Sequence, residues 1–329
     1  MATIYEVAAL AGVSPATVSR VFNGTRVSDE KVRLVREASA ALNFTPNRTA
    51  RTLRKQNAEV IALVIPDIEN PYFTEMARGV EDVAQEAGYS VVLCNTDSQL
   101  AKEATYLQIA ISENMAGVIL APASDHTNLD DIIARGRPVV AVDRGSGYDI
   151  DGVMMSNRPA GQSAAESLYQ AGYRRVACIT GPREIETAAE RAQGWRGVVT
   201  RHELFDDPEE YLRYSSYDVE GGHEAVASLL DMPVPPDAIL AANNLLGVGV
   251  LQVLTERGLT PPRVGVAVIG NLPFTTLAPS VVTVVKLPAR HMGITAAKML
   301  LERINGDNQP ARTVVLRNEL VPARRPAPS

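Results

Sequence analysis

Pro15 and Ala16, followed along one helix by Thr17, Ser19, Arg20 and Asn23, form a surface suited to reading the edges of base pairs. Two small apolar side chains at a helix start admit a close approach and pack on a thymine methyl, although they are also ordinary helix starters. The polar residues add hydrogen bonds on the same helix. Arg20 carries the planar fork of a bidentate guanine contact, worth about 1–3 kcal/mol of discrimination. Ser14 ahead of Pro15 is an N-cap with proline at the first helical position, where a missing N–H costs nothing. Thr3 and Glu6 have the spacing of a capping box, which starts the preceding helix near Ile4, and Gly12 supplies the turn between the two. Ser28 caps a third helix, with Val27 and Val32 at staple positions and Val32, Val35 and Leu42 along its apolar face. Val7, Leu10 and Val18 suffice for a small interior, which leaves Tyr5 for a phosphate or sugar. Such a unit places its second helix in a major groove; the plainer reading is a helical cap on a larger domain.

The charges separate the two readings. Residues 1–58 hold nine Lys/Arg against four acids, a net of +5, while the whole chain is −6, so the remainder carries −11. A basic head on an acidic body fits a module that faces phosphates. After Pro46 comes a short basic stretch, Asn47–Arg54, in which Arg48, Arg51 and Arg54 surround Leu53. Two helical turns are marginal alone, so on their own these residues read as a flexible basic linker.

The rest of the chain carries little that suggests catalysis. His126, His202, His223 and His291 lack metal-ligand spacing, and Gly247-Val-Gly249 lies in a helical pattern without a third glycine, a packing feature rather than a dinucleotide loop. There is no nucleophile elbow; the expectation is no enzyme, no metal and no cofactor. Cys94 and Cys178 sit in apolar β-rich runs and read as buried free thiols. No apolar run approaches the roughly 20 residues of a membrane span, and no signal-peptide pattern is present, so a cytoplasmic protein is expected.

These residues need a scaffold, and 329 residues are too many for one core. From Val60 onward, β-branched runs at 60–65, 90–95, 117–121, 138–142, 175–180, 238–241 and 265–269 alternate with amphipathic helices such as 73–87, 100–113, 158–171, 187–201, 222–230 and 243–257. Near-continuous apolar strands with helical crossovers mean parallel sheets buried on both faces. An interruption near Val153–Ser156 divides them into two doubly wound lobes, an α/β body behind a three-helix head.

The run Thr3–Gly24, the segment Phe44–Arg54 and Pro66-Asp67-Ile68-Glu69-Asn70-Pro71-Tyr72-Phe73 together resemble the LacI/GalR family of bacterial transcriptional regulators, over essentially the full length. The resemblance implies a helix-turn-helix head at 1–45 and a hinge helix with linker at 46–58. The body, 59–329, is then like a type I periplasmic binding protein, crossing three times between lobes (59–155 with 286–316; 156–285 with 317–323). In the hinge, Leu53 becomes an apolar wedge in the minor groove, Ala50 faces its counterpart on a second copy, and Asn47 and Arg54 contact DNA. Ligands collect at the carboxyl ends of parallel strands. There the resemblance marks Tyr72, Phe73, Asp143, Arg144, Thr187, Arg191, Tyr217 and Asn243, a set suited to a polyol, with an interlobe ion pair as the plainer reading of Asp143-Arg144.

Two departures stand out. Where the family commonly has Gly-Phe-Asp-Asp, this chain reads Gly270-Asn271-Leu272-Pro273-Phe274, leaving Asn271 as a neutral partner and Phe274 beside it. The tail 320–329 lacks leucine heptads, so a dimer rather than a tetramer is expected. The resulting expectation is a homodimeric repressor of a catabolic operon, bound to a near-palindromic double-stranded operator and controlled by a sugar or polyol effector. Two alternatives fit the same residues: a regulator answering to a protein or phosphorylated co-effector with a vestigial cleft, and a sugar-binding protein without a DNA role.

Overall fold

The computed structural model describes residues 2–22, 27–44, 59–272 and 281–324. Asn23, Asn47, Ala50, Leu53, Arg54 and Phe274, with the expected hinge helix at 46–58, lie outside the described residues. The chain divides into two compact units, Met1–Ala58 and Glu59–Ser329.

The first unit contains α1 (Ile4–Leu10), α2 (Pro15–Phe22) and α3 (Asp29–Ala41). The Thr3/Glu6 capping box is formed in both directions. Ser14 Oγ accepts the Thr17 N–H at 3.1 Å and so caps α2. Gly12 turns the chain at φ +64°, a backbone region closed to most side chains. Val7, Ala8, Ala11, Val18, Val35 and Ala38 form the core, flanked by Phe22 and Phe44 with ring centroids 5.9 Å apart. Two expectations fail here. Leu10, read as interior, is 58% exposed, and the core is made with Ala8, Ala11 and Ala38 instead. Ser28 stands at the N-cap of α3, but its side chain makes no capping bond.

In the second unit, β1 (Val60–Ile65), β2 (Ser90–Asn95), β3 (Gly117–Leu120), β4 (Val139–Asp143), β5 (Asp151–Met155) and β11 (Thr313–Leu316) build one sheet, in the order β11-β5-β4-β3-β1-β2. The other sheet has the order β12-β10-β9-β8-β6-β7, from β6 (Val176–Thr180), β7 (Leu212–Tyr214), β8 (Ala238–Ala241), β9 (Gly265–Ile269), β10 (Thr283–Lys286) and β12 (Glu319–Val321). The first is parallel throughout; in the second, β12 runs antiparallel to β10. Lys286, counted from sequence with the first lobe, closes β10 of the second.

Alternation along β1 shows why the first sheet is apolar on both sides. Ile61, Leu63 and Ile65 pack with Phe73, Met76 and Val80 of α4 (Pro71–Glu86) and Met292 and Ala296 of α11 (Ala289–Ile304). Ala62 and Val64 face the opposite way, with Leu107 and Ala110 of α5 (Leu100–Ser112) and Ile132 of α6 (Asp130–Ala134). The second lobe carries α7 (Asn157–Gln170), α8 (Glu186–Arg201), α9 (Val219–Leu230) and α10 (Asn244–Glu256).

Helix pairs meet backbone to backbone at glycines. A Cβ on Gly161 of α7 would lie 2.0 Å from the Arg191 carbonyl oxygen, and one on Gly194 of α8 would lie 2.1 Å from that of Arg158. The α4–α11 crossing repeats this, with Gly79 against Arg290 and Gly293 against Met76, both at 2.1 Å. Gly249 packs likewise against Val219. Among the described residues no helix is long and apolar enough to cross a membrane.

Candidate functional site

The head presents one face of α2 outward. Val18 is wholly buried and orients the helix, while Ala16 and Arg20 are exposed and Pro15, Thr17 and Ser19 half-buried. Ser14 is exposed, but its hydroxyl is engaged with Thr17, both with the backbone N–H and, at 2.9 Å, with Oγ1. Tyr5 on α1 is 71% exposed. The surface thus combines small apolar, hydroxyl and guanidinium groups on a short capped helix, the form that enters a major groove.

In the second unit, a cleft of ≈ 540 Å³, its open mouth included, is lined by residues that follow carboxyl strand ends of both sheets. Tyr72, Phe73, Asp143 and Arg144 reach it from the first lobe; Thr187, Arg191, Tyr217 and Asn243 reach it from the second.

Asp143 ends β4 at φ +68°, a strained conformation for a residue with a side chain, and is 5% exposed. Its Oδ1 accepts the Tyr72 hydroxyl at 2.9 Å, and its Oδ2 lies 3.6 Å from Arg144 Nε. The ion pair therefore joins neighbours in one lobe and is not the interlobe pair considered from sequence. Burial, and then the Asp143 carboxylate, hold the Tyr72 phenol well above its ordinary range, so it stays a proton donor. The Tyr72 and Phe73 rings meet edge to face at 5.0 Å, and Phe73, 5% exposed, belongs mostly to the core.

Arg191 is 4% exposed and already bonded: Nε donates to Asn157 Oδ1 at 2.9 Å and Nη1 to the Ala242 carbonyl at 2.8 Å. Asn243 caps α10, its Oδ1 accepting the N–H groups of Leu245 at 2.7 Å and Leu246 at 3.2 Å, so only its amide NH2 is left for a ligand. Thr187 Oγ1 and Tyr217 Oη lie 3.3 Å apart. Asn271 is not among the lining residues; it sits beside Gly270, its amide donating to Glu75 Oε2 at 3.2 Å.

Sequence reasoning missed Asn70 and Asn244, which are 4% exposed each and joined across the cleft by a 3.0 Å bond from Asn244 Nδ2 to Asn70 Oδ1. Asn70 also caps α4 through the Tyr72 N–H, so Asn-Pro after an apolar strand was its signal. A third bond between the lobes runs from the Gly145 N–H to Glu186 Oε2 at 3.0 Å. Together with Asn271–Glu75, these bonds hold the lobes closed on one another. Among the described residues no cluster of His, Cys, Asp or Glu is arranged to hold a metal, and Cys94 and Cys178 are free and buried.

Known proteins carry the same two parts. The family described as periplasmic binding proteins and sugar binding domain of LacI family matches residues 58–324, and bacterial regulatory proteins, lacI family, matches residues 3–47. The ribose operon repressor of Halalkalibacterium halodurans is 32% identical over 310 residues, covering 92% of this chain and 91% of that protein. The lac repressor dimer bound to operator and the anti-inducer ONPF superposes with a TM-score of 0.83 at 25% identity, covering 97% of each chain. A complex of the transcriptional regulator CelR with cellobiose gives 0.72 at 29% identity, covering 98% of each. The chain belongs to the LacI family of bacterial regulatory proteins, a DNA-binding transcriptional regulator and not an enzyme.

Proposed function

We propose that the chain is a cytoplasmic repressor that binds a near-palindromic operator as a homodimer and answers to a small hydroxyl-rich effector held between its lobes. The observation that carries the DNA half is the outward face of α2, where Ala16 and Arg20 stand exposed above a buried Val18. Pro15, Ala16, Thr17, Ser19, Arg20 and Asn23 take the base edges; Tyr5 and Ser14 face the backbone. Asn47, Ala50, Leu53 and Arg54 act in the minor groove as a hinge that two copies form together. One reading helix per chain and a hinge needing a counterpart both call for two-fold symmetry. The named relatives support the effector half: one is a ribose operon repressor and another was solved with cellobiose.

Effector binding changes the hinge only through its different affinity for the closed and open lobes. The cleft side chains Tyr72, Asp143, Arg144, Thr187, Arg191, Tyr217 and Asn243 supply that difference. Operator selection from random duplexes, followed by gel shift and sedimentation, tests the reading. A dimer on a near-palindrome is expected, with affinity falling steeply with salt and each mismatch costing about 1–3 kcal/mol. A monomer on a single half-site, or no selected sequence, refutes it.

A further inference from the structure

The buried charges lining the cleft do not sum to zero. Arg144, 7% exposed, makes no hydrogen bond through its guanidinium among the described residues, and its Nε is shielded without a partner. Its near counter-charge is Asp143, at 3.6 Å. Arg191, more deeply buried, is held by two neutral acceptors, Asn157 Oδ1 and the Ala242 carbonyl. Against these two guanidinium groups the lining offers one buried carboxylate, Asp143, with one oxygen taken by Tyr72.

The other acids nearby are occupied elsewhere. Asp67, half-buried at the mouth, accepts the Glu69 N–H at 2.8 Å. Glu75 is engaged by Asn271, and Glu186 by the Gly145 N–H. Glu103 is buried away from the cleft lining, where it accepts the Ala123 N–H at 2.7 Å.

A buried charge without a partner is costly, so buried guanidinium groups end up paired with anions. Arg144 is among the residues that line the cleft. We infer that the effector is a hydroxylated monocarboxylate, a sugar acid rather than a neutral sugar, whose carboxylate is taken by the Arg144 fork, which makes no hydrogen bond among the described residues. This rests on the cleft being the effector site. A planar carboxylate fits a guanidinium fork edge to edge. Asp143 Oδ2 and the Asn243 amide then serve the hydroxyls, one accepting and the other donating.

Calorimetry at neutral pH with matched pairs tests it: D-ribonate against D-ribose, D-gluconate against D-glucose and D-galactonate against D-galactose, with D-glucose 6-phosphate as the phosphate arm. At least one acid is expected to bind about tenfold or more tighter than its sugar, a difference of about 1.4 kcal/mol. In Arg144→Gln, which leaves Asp143 and Arg191 balanced, that preference should fall to near unity. A neutral sugar binding as tightly as its acid, no acid binding, or the phosphate outcompeting every carboxylate would overturn the inference. A neutral sugar that binds the wild type but not Arg191→Ala would keep the cleft as the effector site and remove only the charge argument.

Discussion

Arg191→Ala separates the scaffold role of this arginine from its proposed ligand role. Truncation deprives Asn157 Oδ1 and the Ala242 carbonyl of donors at 2.9 and 2.8 Å, and Ala242 is fully buried. An orphaned buried acceptor costs about 1–3 kcal/mol. Water entering from the adjoining cleft replaces part of what each loses, which places the sum nearer about 2 kcal/mol. For a unit of this size that lowers Tm by about 4–8 °C. Arg191→Lys, which keeps the charge but not the planar fork, should fall between the two. Differential scanning fluorimetry reads the stability, and gel shift on the selected operator reads DNA binding, which should stay within about twofold for a site that shares no partner with the head. An unchanged Tm would refute the bonding pattern. Loss of ligand-free operator binding by a folded variant would refute the separation of effector and operator residues.

Other variants test the frame. Gly161→Ala drives a Cβ to 2.0 Å from the Arg191 carbonyl and should destabilise by about 1–3 kcal/mol, whereas exposed Gly197→Ala, with nothing within 4 Å on α8, should stabilise by up to about 1 kcal/mol; denaturant titration compares them. Asp151 is buried and receives Arg303 Nε and Nη2 at 2.8 Å each. Burial opposes ionisation, but Arg303 and the Arg312 N–H outweigh it and hold the carboxyl below its ordinary value. The stability it contributes is therefore present above the ordinary aspartate range and lost as pH falls through its lowered folded value; Asp151→Asn should flatten that acid limb of a pH–stability curve. Leu53→Ala should reduce operator affinity while random-DNA affinity holds, because the hinge arginines remain; an unchanged affinity ratio in gel shifts removes the wedge.

The head was legible because its helix starts are written in local chemistry, Thr3 with Glu6 and Ser14 with Pro15. Leu10 was misjudged because a residue that continues an apolar pattern need not face the core when alanines allow the helices to meet. In the body, seven apolar runs announced their strands. β5 and the short β7, β10, β11 and β12 did not; β7 and β12 have three residues each, too few to carry a periodicity, and depend on their neighbours for pairing. The cleft side chains could be named but not their bonding: that Asn243 caps a helix, and that Arg191 is held by Asn157 and Ala242, follows from packing between elements far apart in sequence. Asn70 and Asn244 lie 174 positions apart and meet only when the lobes close.

The glycine crossings make each half of the body stiff. With Gly161 and Gly194 bringing α7 and α8 into backbone contact, and Gly79 and Gly293 doing so for α4 and α11, neither half has slack to deform around a guest. The two sheets are joined by short connections after Met155, Lys286 and Leu316. Exchanging residues at the strand ends would alter which molecule the cleft takes while the helix crossings stay as they are, so recognition can diverge on an unchanged frame.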